Sequence, residues 1–112
     1  MDWRQSTRGG AVVGEPHGRV DESNWEAFSG HLVAAITSAQ ATAASFIVDL
    51  SGIDYMSSRG LRALSTALAA AKAANVPMSL AAPGSAMRQI LAISRYDKLF
   101  TVHDSVDAVA PA

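Results

Sequence analysis

Ile47-Val48-Asp49-Leu50-Ser51-Gly52-Ile53-Asp54-Tyr55-Met56-Ser57-Ser58-Arg59-Gly60-Leu61 is the stretch that decides the fold. Residues 45–50 are β-branched and almost continuously apolar, the pattern of a short strand covered on both faces. A turn follows, and the serine pair opens a helix expected over about 58–74, with Leu61, Leu64, Leu68 and Ala71 on its buried side. Ser57 or Ser58 is its N-cap, the side-chain oxygen accepting a backbone N–H. A hydroxyl there is also well placed to carry a phosphoryl group, because free N–H groups and the positive end of the helix dipole face it. Most serines before helices serve only as caps, so the pattern admits both roles. The length of the turn, Gly60 (which would let another chain approach the backbone) and the flanking Asp49 and Asp54 favour a functional one.

Outward from this stretch, strands and helices alternate. Arg8-Gly9-Gly10 is a turn between strands expected at 2–7 and 11–19, the second made irregular by Pro16 and Gly18. Asp21 or Ser23 caps a first helix, with Glu22 and Glu26 in its first turn and Trp25, Phe28, Leu32, Val33 and Ile36 as its apolar stripe. Gln40 to Ala44 forms a loop or a frayed helix end. Residues 76–81 form a second central strand, 85–94 a third helix burying Met87, Ile90, Leu91 and Ile93, and 99–102 a last strand. His103-Asp104-Ser105 then caps a short terminal helix with Val106 and Val109 inward. The fold class is α/β, a single mixed sheet of four to five strands with helices packed on it, in one domain over 1–112.

Composition narrows the function. Hydrophobic residues make up 49% of the 112 residues, enough for one core, though much of this is alanine. A net charge of −1 argues against nucleic acid as a partner. No apolar run is long enough to insert into a membrane, and the first eight residues lack the apolar core of a signal peptide, so a cytoplasmic domain is expected. Cysteine is absent, which removes disulfides and thiolate chemistry. His17, His31 and His103 are scattered, with His31 expected on the exposed side of the first helix. No Gly-x-Ser-x-Gly elbow is present, so neither catalysis nor a metal site is expected, and no cofactor is implied. The alanines of the second helix, Ala63, Ala67, Ala70 and Ala74, are read as a surface that permits close packing.

The ordered motifs resemble STAS domains, in particular bacterial anti-sigma factor antagonists. That family has an apolar strand ending in Asp-Leu-Ser-Gly, an aromatic, an apolar residue, two small hydroxyl residues, and Gly-Leu opening a helix. Gly18-Arg19-Val20-Asp21 resembles the family's Gly-x-x-Asp before the first helix. Ser94-Arg95-Tyr96-Asp97-Lys98-Leu99-Phe100 resembles its closing turn. The resemblance implies a phosphoacceptor at Ser58, with Asp21, Asp49, Asp54, Ser57, Arg59, Gly60, Leu61 and Arg62 as the partner-binding or phosphosite environment. It implies an anti-sigma factor that is also a serine kinase as partner, and a serine phosphatase that restores the hydroxyl. Where well-known members have aspartate before the acceptor and a small residue after it, this chain has Ser57 and Arg59. A cation in the first helical turn opposes the dipole. Arg59 therefore either pairs with a phosphate or an acidic partner, or points into water. Two further readings stay inside the family: a regulatory subunit contacting a membrane transporter's ATPase, and a binding module that needs no phosphorylation.

Overall fold

Gly9 and Gly10 sit at φ of 53° and 80°, the left-handed pair that a tight two-residue hairpin demands. They join β1 (Asp2–Arg8) antiparallel to β2 (Ala11–Val20), Arg8 facing Ala11 and Asp2 facing His17. The computed structural model describes residues 1–110, and beyond the hairpin the chain runs α1 (Trp25–Ala41), β3 (Ser45–Asp49), β4 (Ile53–Met56), α2 (Ser58–Ala73), β5 (Met78–Ala81), α3 (Ser85–Ile93), α4 (Tyr96–Leu99) and β6 (Val102–His103).

The sheet is mixed and has six strands, in the order β1-β2-β3-β5-β6, with β4 paired to β2 off this path. Only the hairpin is antiparallel; the other pairings are parallel. The ten-residue β2 serves two partners end to end: residues 11–14 pair with β3, and Gly18, Arg19 and Val20 pair with β4. Gly18, at φ 95°, takes up the register shift and donates its N–H to the Gly52 carbonyl at 2.9 Å. Pro16 lies between the two parallel ladders, where its missing N–H breaks neither of them.

β4 corrects the expected count of four to five strands. The four residues Ile53–Met56 sit in what the sequence presents as a turn. The last strand is also displaced: Tyr96–Leu99 makes a helical turn, and pairing begins only at Val102.

The helices bury their apolar sides on one face of the sheet. Phe28, Leu32, Ala35, Ile36 and Ala39 of α1 and Ala63, Leu64, Ala67, Leu68 and Ala71 of α2 join Val12, Phe46, Val48 and Leu80 of the strands. Ala63 and Ala67 are thus core residues between α1 and α2; of the four alanines read as surface, only Ala70 is exposed and Ala74 is half-buried. Val33 and Ile93, assigned inward, are 49% and 84% exposed. Ile93 lies two residues past buried Leu91, about 200° around the helix, which carries it to the solvent side. Leu61 and Ile90 reach the core only partly.

The opposite face buries Ala11, Val13, Ile47 and Ala81 beneath Val106 and Ala110. These last two belong to a single helical turn rather than a helix. Ala110 N–H donates to the Val106 carbonyl at 2.8 Å, and Ser105 Oγ accepts from the Ala108 N–H at 3.1 Å. β3 is therefore covered on both faces, as its composition predicts.

Candidate functional site at the start of α2

Ser57 and Ser58 take different jobs. Ser57 is the N-cap: its backbone is extended, its Oγ accepts from the Gly60 N–H at 3.3 Å, and its N–H donates to the Val20 carbonyl at 2.8 Å. Its side chain is buried. Ser58 is the first helical residue and is exposed, at the end of α2 where backbone N–H groups lack intrahelical partners.

Gly60 is required from inside. A Cβ on it would lie 2.6 Å from Met56 Cγ and 2.8 Å from Val20 Cγ1, so the first turn of α2 rests directly on β4 and the end of β2. The expectation that Gly60 is open to another chain is corrected: the residue is buried.

Asp21 and Ser23 do not cap α1 either. The helix begins at Trp25 behind Asn24, whose side chain makes no cap bond. Asn24 Oδ1 accepts from the Asp21 N–H at 2.9 Å, and its Nδ2 donates to the Arg19 carbonyl at 2.8 Å. The loop is organised around the Asp21 carboxylate instead. Oδ1 accepts from the Ser23 hydroxyl at 2.6 Å and the Ser23 N–H at 2.9 Å, and Arg19 Nε lies 3.0 Å from Oδ2. These bonds, the Ser23 hydroxyl first and then its N–H, hold the Asp21 carboxyl below its ordinary range, with Arg19 adding to them. The Arg19 guanidinium also stands 5.0 Å from the centre of the Tyr55 ring, its neighbour across the β2–β4 ladder.

The other two aspartates have surroundings of their own. Asp49 Oδ1 accepts from the Ser51 N–H at 2.9 Å and shapes the turn after β3, while Asp54 is exposed on β4.

Arg59 has a partner within the chain. Its Nε is 2.9 Å from Glu22 Oε2, and its guanidinium lies 5.4 Å from the centre of the Trp25 ring. Both side chains of the ion pair are more than half exposed, so the contact contributes about 0–1 kcal/mol. Arg62 follows one turn later, exposed and without an ion pair among the described residues. Both arginines line a groove of about 310 Å³ between α1 and α2, with Trp25, Ser29, Ala63 and Thr66. Sequence reading missed this groove. Trp25 and Ser29 on α1, and Arg59, Arg62 and Thr66 on α2, recur at the three- to four-residue spacing that places side chains on one helix face, so the signal was there once the two helices were known to pack.

The histidines stay apart. His17 Nε2 lies 2.7 Å from Glu15 Oε2. His31 is half-buried rather than exposed, stacked on Trp3 at 5.0 Å between ring centres. His103 is in β6. Among the described residues no three His, Asp or Glu side chains gather where they could hold a metal ion, and no helix is long and apolar enough to cross a membrane.

A mixed sheet with its helices on one face, and a strand-to-helix junction that hides one serine and presents the next, defines an α/β domain whose distinctive surface is a helix start. The STAS domain model matches residues 3–109, and the chain belongs to the STAS domain family. Solved structures share the fold. An anti-sigma factor antagonist from Mycobacterium paratuberculosis superimposes with a TM-score of 0.80 at 19% identity, covering 96% of this chain and 88% of that one. The Bacillus cell fate determinant SpoIIAA in its phosphorylated form gives 0.67 at 17% identity, covering 96% of each chain. A sulfate transporter family protein from Wolinella succinogenes gives 0.72 at 15% identity, covering 88% of this chain and 80% of that one. No curated protein matches the sequence.

Proposed function

We propose that this protein is an anti-sigma factor antagonist that binds its partner through the start of α2 and is switched off by phosphorylation of Ser58. The observation that carries this is the division of labour in the serine pair. Ser57 is committed to the cap, which leaves the exposed Ser58 hydroxyl able to change chemically without unravelling α2.

The partner is an anti-sigma factor that is also a serine kinase. Bound to the unmodified domain, it releases its sigma factor. In the kinase step the Ser58 oxygen attacks the terminal phosphorus of ATP, ADP leaves, and the hydroxyl proton passes to a base on the kinase. A phosphatase returns the hydroxyl by hydrolysis. ATP as phosphoryl donor and a sigma factor as output place the cycle in the cytoplasm.

Phosphate brings a charge of about −1.5 to −2. Desolvated in an interface that was complementary to a neutral serine, such a charge weakens binding by several kcal/mol, on the order of a thousandfold. The switch acts through charge alone and needs no rearrangement of the fold.

The test is phosphopeptide mass spectrometry after incubation with ATP and the serine kinase encoded beside the gene. Label is expected on Ser58 and absent from Ser58→Ala; label on Ser57, or none, overturns the assignment. Ser58→Ala is expected to hold the kinase partner constitutively and Ser58→Asp to bind it at least about a hundredfold more weakly. A sulfate transporter family protein also shares the fold, and a second reading is a regulatory domain of a transporter, docked on its ATPase. Co-purification with that ATPase rather than with a kinase would select it.

A further inference from the structure

The groove between α1 and α2 brings together polar groups that neither the core nor the serine pair uses. Its lining joins two guanidinium groups, an indole face and two hydroxyls, from Arg59, Arg62, Trp25, Ser29 and Thr66. A guanidinium fork matches a carboxylate, and an aromatic plane beneath it fixes its orientation.

One of these guanidinium groups already takes a carboxylate: Glu22, in the loop before α1 and outside the groove lining, sets its carboxylate 2.9 Å from Arg59 Nε, while the same guanidinium stands over Trp25. Only one arginine is engaged in this way; Arg62 forms no ion pair among the described residues. The Glu22 side chain is 66% exposed, so it is held by this contact and little else and can be exchanged for an incoming carboxylate.

We infer that the groove receives acidic side chains of the protein that docks at α2, held by Arg59 and Arg62, with Glu22 as an internal competitor for Arg59. This rests on the reading of α2 as a docking surface and names the chemistry of the docking segment: glutamate or aspartate side chains, positioned beside the contact to Ser58. The opposite signs of the groove and the incoming segment make binding depend on ionic strength. Arg59, which has no favourable role toward the helix dipole, thereby acquires one toward the partner.

The experiment uses the full ¹⁵N-labelled chain and a capped hexaglutamate peptide, followed by nuclear magnetic resonance. Hexaglutamate is expected to shift the Trp25 indole N–H and the Arg59 and Arg62 Nε–H signals, saturably and less at high salt. Hexalysine is expected to leave them unmoved. Glu22→Gln is expected to tighten hexaglutamate binding by about three- to fivefold, the worth of one exposed ion pair. Arg62→Gln is expected to weaken it, and the Arg59→Gln, Arg62→Gln pair to abolish it, with the amide spectrum showing that each variant is folded. Arg88→Ala, which removes a cation from α3, serves as the control with no effect.

The inference is overturned if hexaglutamate shifts other residues instead, if hexalysine shifts the same signals, or if Glu22→Gln weakens binding. It is equally overturned if inorganic phosphate alone titrates these signals while hexaglutamate does not, which would make the groove a small-anion site. Loss of Ser58 labelling with hexaglutamate binding intact overturns the phosphorylation switch alone; the reverse pattern overturns the groove alone.

Discussion

Ser57 and Ser58 are neighbours in sequence and separate in role, because one sits before the first helical residue and the other is that residue. Replacing Ser57 by alanine removes the acceptor for the Gly60 N–H. The expected loss is about 1 kcal/mol, read as a lower urea midpoint with an unchanged slope. Under the proposed switch the same variant still accepts label on Ser58, so mass spectrometry separates the cap from the acceptor; a Ser57→Ala chain that folds yet takes no label would show that the cap positions the substrate hydroxyl. The local pattern leaves the cap open between the two serines, and only the family resemblance singles out Ser58 as the acceptor. Burial of Ser57 and the bond it accepts from the Gly60 N–H divide them, and the Ser57 N–H is tied to the Val20 carbonyl at the end of β2, where pairing sets Val20 opposite Met56.

Among the elements, the order of strands and helices and the buried stripe of α2 were legible because the 3.6-residue period is long and regular there. Leu64, Leu68 and Ala71 fall where the period puts them. β4 was not legible. It is four residues long and pairs only with the end of β2, where Pro16 and Gly18 mark irregularity but do not announce a second partner. The same strand explains Gly60, whose missing side chain lets α2 start directly on Met56. Gly60→Ala places a methyl 2.6 Å from Met56 Cγ and 2.8 Å from Val20 Cγ1. Overpacking of this kind costs about 1–3 kcal/mol, against a gain of up to about 1 kcal/mol in helix propensity. Net destabilisation is therefore expected in denaturant unfolding, and a stabilised variant would show that β4 yields. The groove was illegible for a related reason: its two walls are 34 residues apart in sequence, from Trp25 to Arg59, and meet only when α1 packs on α2.

For the whole molecule, the notable asymmetry is between the two faces of the sheet. One carries the helices; among the described residues the other is closed by the turn around Val106 and Ala110. An ion pair between Arg8 and Asp107 helps to hold that turn, but Asp107 is largely exposed and the pair adds little. Val106→Asp brings a charge onto Ala11, Val13 and Ile47. Its cost is limited to the free energy of seating the turn, because the turn can lift away, and about 1–3 kcal/mol is expected. Hydrogen exchange is expected to quicken at Val13 and Ile47 while the amides of α1 and α2 keep their protection; uniform loss of protection would instead make the turn integral to the core.

The division of β2 between β3 and β4 has a consequence of its own. Four residue pairs join it to β3 and three join it to β4, with Pro16 between the two groups and a register shift after Gly18, inside the second. The sheet therefore has a seam, and a rupture on one side need not travel across it. The end that bears Ser58 hangs on the shorter ladder, fastened by Ser57 to Val20. Under the proposed switch, a kinase that draws the serine into its own cleft could loosen that end while the hairpin and the three inner strands stay zipped, so that a switch would be lent out and the frame kept.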